Sequence, residues 1–308
     1  MIYYILKPFI RFALAIFCPS LKMQDKTISS MKGPVLITAN HPNSFLDAII
    51  IGSVFNRPIH FLARGDAFHK PWHNVLLRTL HMFPVYRLRE GKEFLGLNEA
   101  AFENSRRVLS KKGIVLIFIE GICVNKHELQ PFKKGAARIA NSCWKEGIPL
   151  QVLPLGIGYS SFDKMGKSVL IKTGQLLKKR DLMYLEEEAK NYVLFNQILF
   201  KKIQALIAIP EFKPETSGLI NLLGKVGIIL HQLLYQNLSG FVSKKTKNTV
   251  FYDSVLFGLL FFCYPIYLIL MGLLLSILPI PLFIVLLILL AHPLLAYFAT
   301  NSKIHTRS

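Results

Sequence analysis

Acidic side chains are scarce in this chain of 308 residues: 18 Asp and Glu stand against 37 Lys and Arg, a balance of +19. Such an excess suits a polyanionic neighbour, whether nucleic acid, an anionic membrane face or an acidic carrier. Nucleic-acid modules are missing, with no zinc-finger spacing and no aromatic RNP run, so the membrane is the expected partner and nucleic acid is not. Cysteine is limited to Cys18, Cys123, Cys143 and Cys263, with neither metal nor disulfide spacing. Two of the four lie in apolar segments, which predicts buried, reduced thiols and a cytosolic working face. A metal site is not expected either. His69 and His73 are four apart, but Pro71 lies between them and no acidic third ligand sits at a familiar spacing. No G-x-S-x-G elbow is present to raise a serine nucleophile, and no internal repeat or low-complexity tract appears.

What the chain has in excess is apolar residues, at 52%. Much of that excess lies late: Ser254 to Phe298 contains no Asp, Glu, Lys or Arg over 45 positions. That is room for two membrane spans of about 20 residues each. Pro279 and Pro281 interrupt the run near its middle, which favours a helical hairpin over one long helix; the short second leg, with His292-Pro293, leaves a spanning and a re-entrant hairpin both open. Lys244, Lys245 and Lys247 precede it while Lys303 and Arg307 follow, so the positive-inside rule puts both ends in the cytosol. At the other terminus, residues 1 to 18 are apolar apart from Lys7, Pro8 and Arg11. The charges fall within the apolar stretch and not ahead of it, unlike a signal peptide. Lys7 and Arg11 share one helical face, the pattern of a helix lying in the membrane interface.

Between these ends, short apolar runs alternate with amphipathic stretches. Strands are expected at Val35–Ala39, Ile59–Ala63, Phe83–Tyr86, Ile114–Ile119, Val152–Ile157 and Val169–Lys172. Helices are expected near Leu46–Val54, Phe68–Thr79, Lys92–Ser110, Gly135–Lys145, Lys178–Lys190, Tyr192–Ile209 and Thr216–Phe241. Continuous runs such as IVLIFI suit strands covered on both faces. The expected fold is α/β, a mostly parallel central sheet flanked by helices. The chain then divides into a membrane-interfacial helix over 1–20 and an α/β domain over 21–214. An amphipathic helical linker over 215–250 leads to a two-helix transmembrane hairpin over 251–300.

In sheets of this kind ligands gather at the carboxyl ends of strands. Asn40-His41 ends the first strand, Arg64 the second, Arg87 and Arg89 the third, and Glu120-Gly121 the fourth. A strand-end histidine is also how a following helix gets capped. With Asp47 six residues on, however, a carboxylate is available to fix the ring tautomer and leave one nitrogen as a general base. Glu120 could orient a substrate hydroxyl or make a structural ion pair, and Gly121 lets a ligand approach the backbone. Arg87 offers a planar fork for phosphate oxygens, with Lys126, Lys133 and Lys134 as mobile point charges beyond the fourth strand.

Four ordered blocks resemble those of the glycerolipid acyltransferase family, the lysophosphatidic-acid-acyltransferase type. They are Asn40-His41 through Asp47, Phe83 to Arg87, Phe118-Ile119-Glu120-Gly121, and Val152-Leu153-Pro154-Leu155. The resemblance spans roughly residues 30 to 175. It implies transfer of a fatty acyl group from an acyl-CoA or acyl-carrier-protein thioester to a hydroxyl of a lyso-phospholipid or glycerol-phosphate-type acceptor. The thioester is a co-substrate, and no cofactor is implied. By position, His41 is the base and Asp47 its partner, Arg87 holds the acceptor phosphate, Glu120 and Gly121 shape the acceptor site, and Pro154 supports the pocket wall. The site is expected at the cytoplasmic face of an integral membrane protein. Four departures stand out. Five residues separate His41 from Asp47 where four are usual, His81-Met82 stands where the second block usually has a glycine, Ile119 replaces a usual proline, and Ile122-Cys123-Val124 replaces Thr-Arg-Ser. A phosphate-free lyso-lipid such as a lyso-aminolipid, or a catalytically silent lipid-binding relative, stays open as an alternative.

Overall fold

In chain order the molecule runs α1 (Ile2–Phe17), β1 (Ser20–Met23), β2 (Val35–Ala39), α2 (Ser44–Val54), β3 (His60–Arg64), α3 (Pro71–Thr79) and β4 (Met82–Val85). It continues with α4 (Asn98–Ser110), β5 (Ile114–Phe118), α5 (Gly135–Lys145), β6 (Gln151–Tyr159), β7 (Ser168–Thr173), α6 (Lys179–Leu182) and α7 (Glu188–Leu206). Three helices close it: α8 (Gly218–Lys245), α9 (Tyr252–Ser276) and α10 (Leu282–Asn301). The structure is a computed structural model that describes residues 2–86, 96, 98–214 and 217–302.

The seven strands form one sheet in the order β1-β7-β6-β2-β5-β3-β4. Every pairing is parallel except β6 with β7. All five residues of β2 are buried, as a Val/Leu/Ile strand with neighbours on both edges and both faces must be. One side chain row of β2 (Val35, Ile37, Ala39) packs against Leu46, Ile50 and Ile51 of α2, Leu14 and Phe17 of α1, and Leu256 and Phe257 of α9. The other face carries Leu36, Val115 and Val152 against Ala136, Ala137 and Ile139 of α5 and Phe195, Leu199 and Ile203 of α7. Ala39 pairs with both Phe118 and Leu155, so β2, β5 and β6 point their carboxyl ends to the same edge. That edge holds His41 and Glu120.

Some elements differ from the sequence expectation. Ser20–Met23 forms an edge strand on β7 that its four residues give no periodicity to reveal. The charged helix expected over Lys178–Lys190 is only Lys179–Leu182, with Asp181 accepting from the Lys178 N–H. A new helix starts at Glu188, where acidic residues favour a helix amino end. Pro71 does not disturb a helix but opens α3, leaving His69 outside it and off the face of His73. Arg87 and Arg89, and the early part of the helix expected from Lys92, lie outside the described residues.

Among the described residues three helices, α8, α9 and α10, are long and apolar enough to cross a membrane, one more than the hairpin expected from sequence. Lys225 and His231 break the apolar run of α8 and make it read as a linker. Gly227 lies against α10 so closely that a Cβ there would sit 2.1 Å from the Leu295 carbonyl oxygen. Small residues that bring backbones together are a common way of packing helices in lipid.

The basic face of α1 is turned inward. Lys7 donates to the Phe55 carbonyl and Arg11 Nε to the Ser53 carbonyl at 2.7 Å, while the Tyr3 hydroxyl donates to Gly52 O at 3.2 Å. These are the carbonyls left open at the end of α2, where cations are favoured. Burial and the neighbouring Arg11 push the Lys7 ammonium down to about 8. The opposite face, with Ile5, Phe9 and Phe12, is exposed.

Candidate active site

Strand β2 ends at Ala39, and Asn40 extends its pairing by side chain. Asn40 Nδ2 donates to Ile157 O at 3.0 Å and Oδ1 accepts from Ile157 N at 2.8 Å. This double contact fixes the direction in which the next residue leaves the sheet. His41 Nδ1 then lies 2.8 Å from Asp47 Oδ2, with the carboxylate wholly buried and the imidazole 19% exposed. An ionised buried carboxylate accepts only, so Nδ1 carries the proton and Nε2 keeps a free lone pair. Phe118 lies flat against the ring, 3.9 Å between centroids at 11°.

Asp47 is held from three sides. Besides His41, the Asn43 N–H donates to Oδ2 at 2.8 Å and the Tyr159 hydroxyl to Oδ1 at 2.6 Å. Burial, then the Asp47 carboxylate, push the Tyr159 phenol well above its usual value, so it stays a fixed O–H donor. Such hydrogen bonds compensate a carboxylate for leaving water. The five-residue spacer fits because Ser44 takes a left-handed backbone (φ 52°) and its N–H donates to Cys123 Sγ at 3.0 Å. Burial, then Asp47, push that thiol up to about 12, which keeps it neutral.

Glu120 is buried at the end of β5, and both carboxylate oxygens accept main-chain N–H groups: His41 N at 2.8 Å and Gln130 N at 2.9 Å. Burial raises its pKa against the lowering by these two bonds. Glu120 thus clamps the histidine loop to the loop after β5. No described cation pairs with it. Gly121 sits at φ +65°, a left-handed conformation that suits glycine, with the Lys133 side chain packed against it. Lys126, Lys133 and Lys134 are all exposed, with Lys134 at the start of α5. Pro154 lies elsewhere, in mid-β6 beside Thr38 and Gly174, buried within the sheet. Among the described residues no three His, Cys, Asp or Glu side chains converge as metal ligands.

The sequence reading brought together His41, Asp47, Glu120 and Gly121. It missed the contributions of Asn43, Phe118, Tyr159, Asp253 and Ser254. Asn43 Nδ2 donates to Asp253 Oδ2 at 2.7 Å, and Asp253 is also paired with the fully buried Lys167. One signal existed: Asp253 is the sole acidic residue after Glu215.

With this geometry in hand, known proteins supply a comparison. Residues 20–158 match the family model described as Acyltransferase. The chain is 27% identical over 156 residues to the 1-acyl-sn-glycerol-3-phosphate acyltransferase of Bacillus subtilis (strain 168), covering 50% of this chain and 72% of that protein. The crystal structure of the 1-acyl-sn-glycerophosphate (LPA) acyltransferase, PlsC, from Thermotoga maritima superposes with a TM-score of 0.47 and 19% identity. That alignment covers 68% of this chain and 82% of that one.

Proposed function

We propose, for a chain that belongs to the glycerolipid acyltransferase family, transfer of a fatty acyl group from an acyl-CoA or acyl-carrier-protein thioester to a hydroxyl of a lyso-phospholipid-type acceptor. The observation that supports it most is the His41–Asp47 contact at the mouth of the central strand, a buried carboxylate behind a part-exposed imidazole. His41 Nε2 takes the proton of the acceptor hydroxyl as its oxygen attacks the thioester carbonyl. The tetrahedral intermediate collapses, the C–S bond breaks, and the imidazolium returns its proton to the departing thiolate. Asp47 holds Nδ1–H throughout and stabilises the charged ring. Glu120 and Phe118 keep the ring at the strand end. A thioester is already activated, so the reaction as proposed uses no metal or cofactor.

Arg87, Lys126, Lys133 and Lys134 are proposed to meet the acceptor phosphate, with the Lys133 side chain lying against Gly121. Pro154 supports the strand that carries Tyr159. The basic residues flanking the apolar helices favour a site at the cytoplasmic surface of the bilayer.

The test offers purified protein palmitoyl-CoA with 1-oleoyl-glycerol-3-phosphate, and separately with a phosphate-free lyso-lipid, and identifies the product by mass. His41→Ala is expected to lower turnover by about 10²–10⁴ while remaining folded and vesicle-bound. Turnover near wild type in that variant would overturn the mechanism. Lys133→Met is expected to weaken only the phosphate-bearing reaction; equal losses with both acceptors speak against phosphate recognition by Lys133.

A further inference from the structure

The loop carrying His41 and Asp47 is tied to a helix more than 200 residues later in the chain. Asn43 is the hub. Its N–H donates to Asp47 Oδ2, the same oxygen that holds His41. Its amide Nδ2 donates to Asp253 Oδ2 at 2.7 Å. Its carbonyl accepts from the Ser254 hydroxyl at 3.3 Å, and Ser254 Oγ in turn accepts the Leu46 N–H at 3.0 Å. Asp253 and Ser254 form the first turn of α9, where a carboxylate suits the helix amino end. Lys167, in the connection between β6 and β7, supplies the counter-charge, and both ionic side chains are fully buried.

This arrangement is poorly explained by stability alone. A buried ion pair contributes little net stabilisation, and here Asn43 Oδ1 and Asp253 Oδ1 are buried without a partner. What the three bonds do accomplish is geometric. The spacer between His41 and Asp47 turns at Pro42-Asn43 and enters α2 through a left-handed Ser44. The helix fixes Asp47 relative to Leu46, but the turn before it sets where the imidazole meets that carboxylate. Anchored at Asn43 O, Asn43 Nδ2 and Leu46 N, the turn has one conformation.

We propose that Asp253 and Ser254 are positioning residues for the His41–Asp47 pair, acting through Asn43 and charge-balanced by Lys167. The long spacer and the acid–hydroxyl pair at the head of α9 are then two halves of one device. Alignment of the base depends on a helix apolar enough to cross the membrane being docked on α2. The inference rests on His41 being the base, as proposed above.

Full-length protein in phosphatidylcholine vesicles provides the test, with Asn43→Ala, Ser254→Ala and Ser254→Thr. These changes are small and uncharged, and each leaves Asp253 paired with Lys167. Two readouts are taken: kcat and KM with palmitoyl-CoA and 1-oleoyl-glycerol-3-phosphate, and the rate at which diethyl pyrocarbonate modifies His41, followed by peptide mass. The alanine variants are expected to lose about 10–100-fold in kcat with KM little changed, while His41 modification accelerates as the ring loses its partner. Ser254→Thr keeps the hydroxyl and is expected to restore both. Wild-type kcat in both alanine variants overturns the proposal. So does a loss of kcat that follows thermal stability while the His41 modification rate stays constant. If the wild type forms no product, the proposed reaction fails, and the modification rates still decide whether α9 positions the ring.

Discussion

At the scale of single residues, the site is a set of buried polar atoms each needing a named partner. Tyr159→Phe removes the donor to Asp47 Oδ1 and leaves a buried carboxylate oxygen without its bond. A loss of about 1–3 kcal/mol is expected, measurable by thermal unfolding against wild type. His60 on β3 works in the opposite sense, as a base held neutral. Burial, then the nearby His81, push its imidazole down to about 4, and its Nδ1 has no partner. The unfolded chain therefore binds a proton between about pH 6.5 and 4 that the folded one does not. Stability present above pH 6.5 is lost as pH falls through that window. His60→Phe is expected to flatten the fall in Tm between pH 7 and 4; an unchanged slope would dismiss His60 as its source. His41, Asp47 and Glu120 were legible because strand ends collect chemistry in parallel sheets. Asn43 was not, because its importance comes from Asp253, 210 residues away. No local pattern carries that information.

At the scale of elements, pattern was a good guide where burial sets the pattern. The run Val35–Ala39 and the amphipathic Gly135–Lys145 appear with the expected bounds, since a strand covered on both faces and a one-sided helix each leave a clear period. Ser20–Met23 was invisible because an edge strand of four residues needs only backbone pairing. For α1 the sequence placed Lys7 and Arg11 on one face without saying what that face meets. The face with Lys7 and Arg11 closes the end of α2, and the apolar face is left outward. Lys7→Met with Arg11→Met is thus expected to destabilise the α1–α2 contact by about 1–3 kcal/mol. Vesicle flotation should be unaffected, because Ile5, Phe9 and Phe12 remain. A flotation defect without loss of stability would assign the two cations to lipid headgroups instead.

At the scale of the whole molecule, an α/β domain and an apolar helical group share one core. Phe17 of α1 meets Phe257 of α9 at 5.4 Å between ring centroids, and Leu256 and Val242 belong to the same cluster as β2. Within the helical group, α8 depends on Gly227 for its approach to α10. Gly227→Val forces the two backbones apart and is expected to cost about 1–3 kcal/mol or more, seen as a lower Tm in detergent. A Tm equal to wild type would mean that the α8–α10 contact contributes little.

The Asn43–Asp253 bond also orders events in time. During synthesis the sheet strands and the histidine loop leave the ribosome well before Asp253 is made. Until the last helices arrive, Asn43 Nδ2 has no acceptor and Lys167 no counter-ion. A chain cleaved ahead of Tyr252 carries both His41 and Asp47 but none of the bonds that Asp253 and Ser254 make to Asn43 and Leu46. If those bonds position the pair as proposed, such a fragment is expected to show the same faster His41 modification as Asn43→Ala.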